Sequence, residues 1–317
     1  MGRPSPDLSK PRTELIYIVT GDEAGLRLDV FLRKRVRWRS REHMKDRIKS
    51  GEVLLNGRQV KAAQTVKERD EVFVSLIRMG DPFDPADVPL PIIYEDDFLV
   101  ALNKPAGFVV HPVGRHQNDT IINALHLKYR RLDDPENDIV PKLAHRLDMY
   151  TTGVLLVAKR DDVRAELGRQ FAAREVSKRY LAIVKGIPDP AAGDIEAPIG
   201  LPVDGSKLPM VIRDDGEPSL TRYETLETFA EHAFVRLHPY SGRTHQIRIH
   251  MMYIGTPLVA DFMYGEDKPL VIDGKTVIDR YPLHSSFLKF THPVTKEEME
   301  LTAPLPEDME RALAALR

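Results

Sequence analysis

The chain has no cysteine, which excludes disulfide bonds and zinc sites built on thiolates. It also lacks any run of about 18 apolar residues and any positively charged start followed by an apolar stretch, so the sequence predicts neither membrane insertion nor secretion. The formal net charge of 317 residues is only −2, so any affinity for nucleic acid must come from a local cluster. These absences favour a cytoplasmic protein. The length predicts two domains, and 42% hydrophobic residues suffice for a sizeable core.

Positive charge is concentrated in one short stretch near the start of the chain. Only Glu42 and Asp46 oppose it there. Such density attracts phosphate groups and makes binding depend on salt, but it does not read a base sequence. We therefore predict that nine cations contact RNA phosphates: Arg33, Lys34, Arg35, Arg37, Arg39, Arg41, Lys45, Arg47 and Lys49.

The residues around these cations predict two short helices followed by strands. Ser40 is a suitable N-cap for the second helix, Gly51 ends it, and Asn56-Gly57 predicts a hairpin turn. A solvated helix pair without an RNA role is the alternative. The stretch 14–77 nevertheless resembles an S4-type RNA-binding domain, through Leu26-Arg27-Leu28-Asp29, Ser40-Arg41, Lys49-Ser50-Gly51 and Asn56-Gly57.

The composition divides the rest of the chain. Residues 1–13 contain three prolines and are predicted to be a disordered tail. Residues 78–89 are rich in proline and aspartate and predict a linker. From residue 90 to 317, strand and helix patterns alternate irregularly, and Thr244 is the predicted N-cap of one helix. We expect an α+β domain with a mostly antiparallel mixed sheet, preceded by the small α/β S4-like domain.

One motif in this second domain carries chemistry. Arg146 stands two residues before Asp148 in a turn that ends on Gly153, and a buried strand follows, with the sequence Val-Leu-Leu-Val-Ala at 154–158. A carboxylate at the mouth of a buried strand, with a cation beside it, is suited to act as a nucleophile. Seen alone, an Arg-x-Asp turn is more often an exposed ion pair.

Further motifs resemble the RluA family of pseudouridine synthases over residues 90–306. Thr152 and Ala260 stand where that family usually has serine and glycine; both replacements are small, so neither argues against activity. Residues 266–280 form an insertion to which we assign no role. The motifs that carry the resemblance are Lys104-Pro105-Ala106-Gly107, His145-Arg146-Leu147-Asp148, Lys178-Arg179-Tyr180, the run 241–250 (SGRTHQIRIH), Tyr264-Gly265 and Leu283-His284.

The resemblance implies that uridine within RNA is isomerised to pseudouridine without redox change or group donor. Asp148 would be the catalytic carboxylate, either as nucleophile or as the base that takes a sugar proton. Tyr180 would pack on the uracil, and Arg243 would pair with Asp148. The implied substrate-binding residues are Arg146, which would replace the extruded base in its stack, Leu283, His145 and Thr151.

No cofactor and no metal are expected. His245 and His250 are five residues apart on a predicted helix and do not share a face, and the chain has no HExxH motif. Two other classes remain open: a non-catalytic ribosome-assembly factor and a metal-dependent RNA hydrolase. Large-subunit ribosomal RNA is the expected substrate, with transfer RNA as the alternative, and the protein is expected to be a monomer.

Overall fold

The computed structural model describes residues 7–9, 13–36, 40–75, 85–114, 116–204, 206 and 209–317. The chain forms two compact units, Met1–Val88 with His111–Leu132, and Pro89–Val110 with Asp133–Arg317. A helical segment beyond the proposed linker thus groups with the first unit. The domain boundaries 14–77 and 90–317 stay a prediction.

The first unit contains a small sheet of order β1-β3-β2, in which both pairings are antiparallel. The first of the two predicted helices packs through four apolar residues: Leu28, Phe31, Leu32 and Val36 all lie in the core. The elements of this unit are β1 (Glu14–Ile18), α1 (Leu28–Arg35), α2 (Arg41–Lys49), β2 (Val53–Leu55), β3 (Glu71–Ser75) and α3 (Ile121–Tyr129).

Local signals in this unit were partly confirmed. The Ser40 hydroxyl accepts from the His43 N–H, as expected of an N-cap. Asn56 and Gly57 have φ of 50° and 74°, which suits a tight turn. The turn does not join two neighbouring strands, however, because β2 pairs with β3, and only Leu55 bridges to Arg58.

Part of the predicted tail is fixed on α3. The N–H of Leu8 donates to Nδ1 of His126 at 3.2 Å, and the Asn123 amide donates to the Leu8 carbonyl oxygen at 3.0 Å. The prediction of a disordered tail is therefore wrong for residues 7–9. Most of the proposed linker, residues 78–84, lies outside the described residues, and Pro85–Asp87 form a 3₁₀ turn.

Within the described part of the second unit, ten strands form one mixed sheet. Its main order is β4-β5-β7-β16-β8-β13-β12-β9, with β6 on β7 and β17 on β16. Among these pairings only β16 with β7 is parallel, so the expected α+β class with a mostly antiparallel sheet is confirmed. The ten strands are β4 (Ile92–Glu95), β5 (Leu99–Lys104), β6 (Lys142–Leu143), β7 (Thr152–Ala158), β8 (Ser177–Lys185), β9 (Ala192–Glu196), β12 (Leu220–Thr228), β13 (His232–Pro239), β16 (Leu283–Thr291) and β17 (Glu298–Thr302). Two separate antiparallel pairs are β10 (Ile199–Gly200) with β11 (Val211–Ile212), and β14 (Leu270–Ile272) with β15 (Lys275–Ile278).

The strand order is what assembles the site. Strand β16 lies between β7 and β8, so Ser285 is opposite Gly153 on one side and Tyr180 on the other. The turn that carries Asp148 and the strand that carries Tyr180 are therefore brought to either side of Leu283, at the start of β16. These residues are far apart in the chain.

Three helices complete this unit: α4 (Asp161–Ala172), α5 (Gln246–Tyr253) and α6 (Glu307–Leu316). The N-cap of α5 is His245, in the left-handed conformation, so the prediction that Thr244 caps this helix is wrong. The proposed insertion 266–280 contains the hairpin β14-β15. No helix in the described ranges is long and apolar enough to span a membrane.

Candidate active site

A cavity of about 360 Å³ opens in the second unit beside the turn that follows β6. Its walls come from residues 144–148 and 241–248, from β8 and from the start of β16. All seven residues predicted for catalysis and substrate binding in this domain line it: Asp148, Tyr180, Arg243, Arg146, Leu283, His145 and Thr151.

The backbone of the turn that carries Asp148 is hydrogen-bonded to the buried side chain of Lys104. Nζ of Lys104, at the end of β5, donates to the carbonyl oxygens of Pro105, Met149 and Thr151, each at 2.9 Å. The side chain has no exposed surface. Burial lowers the pKa of Lys104 to about 7, while the negative charge of Asp148 acts in the opposite direction. Lys104 thus fixes the backbone on the C-terminal side of Asp148.

The carboxylate of Asp148 faces two nitrogen groups of the segment that begins α5. Its Oδ2 lies 3.7 Å from Nη1 of Arg248 and 4.0 Å from Nε2 of His245. Arg248 is buried, and its Nε and Nη2 donate to the two oxygens of Asp261 at 2.7 Å each. This second carboxylate fixes the guanidinium in place and leaves Nη1 directed at Asp148.

The predicted pairing of Arg243 with Asp148 is wrong in this structure. Arg243 lines the cavity, but its Nη2 lies 3.1 Å from Glu217, and its side chain is 39% exposed. Arg248 takes the role because residues 246–251 of α5 are all buried, which holds its guanidinium beside Asp148 and Asp261. The sequence contained a signal for this role: Arg248 lies between Ile247 and Ile249 in a helix without polar periodicity. A cation buried in such a helix needs a negatively charged partner.

Two predicted residues form the apolar part of the cavity. Tyr180 and Leu283 are both buried. Burial raises the pKa of Tyr180 to about 12, and the charge of Asp148 acts in the same direction. The phenol is therefore neutral near pH 7 and can donate or accept a hydrogen bond.

The other three predicted substrate-binding residues, His145, Arg146 and Thr151, differ in exposure and in hydrogen bonding. Nε2 of His145 accepts from the Leu156 N–H at 3.0 Å, and burial of the ring lowers its pKa to about 3, so this histidine is a neutral structural group. Arg146 is exposed at the rim, where Nη2 donates to the Thr244 hydroxyl at 3.0 Å. The Thr151 hydroxyl is buried and has no hydrogen-bond partner within the described residues.

His245 is a site residue that the sequence reasoning missed. The Tyr264 hydroxyl accepts from the Met210 N–H at 2.8 Å and lies 2.8 Å from Nδ1 of His245. Burial lowers the pKa of His245, which keeps the ring neutral, so the hydroxyl donates to Nδ1 and the ring proton stays on Nε2, facing Asp148. Its φ of 58° could not be read from the sequence.

Lys178 was also missed. Its Nζ donates to the Ser241 carbonyl at 2.9 Å, and burial lowers the pKa of this amine to about 8. The lysine lines the cavity and adds positive charge to a wall that would face the RNA.

The predicted RNA contacts of the first unit divide by exposure. Arg47 is buried and bonded to the Ser75 carbonyl at 2.6 Å and to Glu52 at 2.8 Å, so the prediction that it contacts RNA is wrong. Arg37 and Arg39 lie outside the described residues. Arg35 and Lys45 are partly exposed, and the exposed members are Arg33, Lys34, Lys49 and Arg41, which also donates to buried Asp29.

The described residues contain no group of three or more histidine or carboxylate side chains that could hold a metal ion. Arg248 contacts both Asp148 and Asp261. A guanidinium therefore occupies the place between them.

Comparisons with known proteins agree with this arrangement. The sequence profile described as RNA pseudouridylate synthase matches residues 98–253, and that of the S4 domain matches residues 26–72. Ribosomal large subunit pseudouridine synthase D of Xanthomonas campestris is 36% identical over 311 residues, covering 95% of this chain and 92% of that protein. Ribosomal large subunit pseudouridine synthase C of Escherichia coli is 35% identical over 316 residues, covering 95% and 96%.

A solved structure is similar as well. Human RNA pseudouridylate synthase domain containing 4 has a TM-score of 0.58 and 27% identity, covering 71% of this chain and 92% of that one. A mixed sheet with this cavity, in a chain that also carries an S4 domain, defines an RNA-modifying enzyme. Because more than a third of its residues match the relatives over almost its whole length, the chain belongs to the RNA pseudouridylate synthase family. The resemblance inferred from the motifs is confirmed.

Proposed function

We propose that this protein converts uridine to pseudouridine in large-subunit ribosomal RNA and that Asp148 is its catalytic carboxylate. One observation carries the proposal: Asp148 lines a cavity of about 360 Å³, 3.7 Å from a buried arginine. The names of the two bacterial relatives support the choice of RNA.

The reaction rearranges atoms within one nucleotide. The N1–C1′ bond breaks, the freed uracil turns, C5 bonds to C1′, the proton leaves C5, and N1 gains a proton. Asp148 begins the sequence either by attacking the sugar at C1′ or by taking the proton of the adjacent C2′, and both routes need a carboxylate beside the sugar. Arg248 compensates charge there without moving, since Asp261 holds it.

The remaining residues retain the base. Tyr180 and Leu283 provide an apolar wall that keeps the freed uracil in place, and the neutral phenol can pass a proton. His245 faces Asp148 with its Nε2 at 4.0 Å and acts as a positioning residue. Arg146, at the rim, fills the stack that the target base leaves. Arg243 is better suited to a phosphate than to the catalytic carboxylate, because it is partly exposed.

The first unit supplies affinity in this proposal. Its exposed cations contact phosphates, while sequence choice depends on the second unit. We propose that the protein acts as a monomer in the cytoplasm, on ribosomal RNA; transfer RNA is the second candidate substrate.

The test compares the wild type with Asp148→Asn. Pseudouridines are mapped in ribosomal and transfer RNA from cells without the gene, with the wild-type gene, and with the variant gene. We expect sites in large-subunit RNA that depend on the wild-type gene and are lost in the variant, while the purified variant binds RNA with nearly unchanged affinity. Multiple turnover by pure Asp148→Asn protein would contradict the assignment of the carboxylate. Sites lost only from transfer RNA would overturn the choice of substrate, and unchanged maps would indicate a non-catalytic factor.

A further inference from the structure

An aromatic pair stands beside the catalytic turn but outside the cavity lining. Phe262 is 51% exposed, and its ring centroid lies 6.2 Å from that of Tyr150, which is partly buried, at an interplanar angle of 85°. Single exposed apolar residues are common on protein surfaces and need no explanation. Tyr150 and Phe262 differ from such residues because hydrogen bonds fix the backbone around each of them.

Tyr150 is fixed on both sides of its backbone. Its N–H donates to the Tyr281 hydroxyl at 3.3 Å, and its carbonyl accepts from Nη1 of Arg280 at 2.9 Å. Its ring also meets the ring of buried Tyr281 edge-on, with centroids 5.7 Å apart. Since Tyr150 comes two residues after Asp148, its ring has a defined position next to the reacting group.

Phe262 is presented by a turn that a buried carboxylate determines. Oδ1 of Asp261 accepts from the N–H groups of Met263 and Tyr264 at 3.1 and 3.2 Å. The residue before it, Ala260, has a φ of 51°, a conformation that a non-glycine residue adopts only where its surroundings enforce it. These contacts fix the backbone on both sides of Phe262, whose ring is half exposed beside Tyr150.

The same groups connect this pair to the catalytic carboxylate. Asp261 also binds Arg248, whose guanidinium lies 4.1 Å from the Tyr281 ring centroid and 3.7 Å from Asp148. A ligand seated on Tyr150 and Phe262 would thus lie next to the nucleotide held in the cavity.

We propose that Tyr150 and Phe262 form a stacking surface for an unpaired base of the RNA substrate, next to the target uridine in the chain. This inference rests on the proposed function. Arg146 can fill the gap between bases that stay stacked, but an unpaired neighbour that turns out of the helix with the target nucleotide gains no stacking partner from it. An aromatic surface restores that contact for any of the four bases, because each base has a π face. The surface would therefore strengthen binding without selecting a base.

The experiment uses the full-length enzyme and an RNA fragment that the wild type modifies. Phe262→Ala and Phe262→Leu remove the aromatic ring, and Phe262→Trp keeps one. Val294→Ala is the matched control, since Val294 is also an exposed apolar residue of the second unit. We expect KM to rise about tenfold for the Ala and Leu variants, with a smaller effect on kcat, and to stay within about twofold for the Trp variant and the control.

A second substrate series locates the stacked base. The base on the 5′ or the 3′ side of the target is removed, which leaves an abasic site. On the abasic RNA that lacks the stacked base, wild type and Phe262→Ala should have the same KM. The proposal is overturned if Phe262→Leu behaves as the wild type on intact RNA, or if the tenfold difference persists on both abasic substrates, since Phe262 would then contact something other than a flanking base. A wild type that modifies no RNA would refute the proposed function itself, whereas an active wild type with an equally active Phe262→Ala refutes only the stacking surface.

Discussion

The two arginines near Asp148 differ in burial, and this difference separates their roles. Arg243 and Arg248 are both in the same motif, and both line the cavity. Arg248 is withdrawn from water between two carboxylates, where a charge-assisted bidentate pair is strong and the loss of one partner is costly. Arg243 is partly solvated beside Glu217, a setting in which ion pairs contribute little.

The two arginines should therefore respond differently to substitution. Arg248→Gln leaves Asp148 and Asp261 without a cation, and we expect the single-turnover rate to fall more than about a hundredfold and the free energy of unfolding to fall by about 3–5 kcal/mol. Arg248→Lys keeps the charge but loses the planar fork, so it should recover part of the stability and little of the rate. Arg243→Gln is the control, with a rate within a few-fold of the wild type and weaker RNA binding. Rapid-quench kinetics and urea unfolding measure both quantities. A greater loss of rate in Arg243→Gln would return the catalytic pairing to Arg243.

Among the strands, the contact of β7 with β16 restricts position 153, directly after the catalytic turn, to glycine. Gly153 has a φ of 105°, and a Cβ built there would lie 2.1 Å from the Ser285 carbonyl oxygen. The parallel pairing of the two strands leaves no room for a methyl group. The glycine after the Arg-x-Asp motif is thus a requirement of the sheet, and it sets where the turn ends.

Gly153→Ala should accordingly destabilise the protein by more than about 3 kcal/mol, because both the backbone conformation and the strand contact are disturbed. Gly168→Ala is a matched control: Gly168 lies in α4, where a Cβ would meet nothing within 4 Å. That substitution should raise the free energy of unfolding by about 0.5–1 kcal/mol through helix propensity. Urea unfolding compares the two, and equal stability of both variants would show that β7 and β16 can separate at no cost.

Lys104 joins the end of β5 to the catalytic turn. Because its pKa is shifted, it makes the free energy of unfolding depend on pH. Burial lowers its pKa to about 7 from the ordinary 10.5, so between these values the folded protein binds fewer protons than the unfolded chain. The contribution of this side chain to the free energy of unfolding therefore rises as pH increases from 7 to 10.5.

Lys104→Met removes this titration and leaves the carbonyls of Pro105, Met149 and Thr151 without their donor. We expect the variant to be less stable and less active than the wild type, and the difference in free energy of unfolding to increase from about pH 7 to about pH 10. Lys275→Met, at an exposed position of β15, should show no such trend. A difference that shrinks over this range would mean that the ammonium form is the favoured one in the folded state.

For the whole molecule, we propose that RNA affinity and catalysis depend on different groups of residues. The exposed cations of α1 and α2 precede the catalytic motifs in the chain, and the net charge of −2 offers no general attraction to RNA. Salt dependence should therefore be determined by a small number of side chains.

The substitution of Arg33, Lys34 and Lys49 by glutamine should reduce the slope of log affinity against log salt by about 0.7–0.9 for each phosphate that is no longer neutralised. The catalytic rate at saturating RNA should change little. A control that removes the same charge from exposed positions of the second unit, Arg164, Arg311 and Arg317, should leave the slope nearly unchanged. Filter binding at several salt concentrations gives both slopes, and an equal reduction in the control would mean that RNA binding does not depend on the first unit.

The family, the α+β class and seven residues of the cavity lining could be predicted from the sequence, because motifs, capping residues and the periods of buried positions are local properties of the chain. The buried face of α1 and the fully buried strand β7 are of this kind. Three features follow from the folded chain alone: Arg248 is the arginine that meets Asp148, Arg47 is buried, and β16 brings Leu283 between the catalytic turn and Tyr180. They depend on strand order and on how helices pack against distant residues, and neither is encoded in the spacing of residues along one segment.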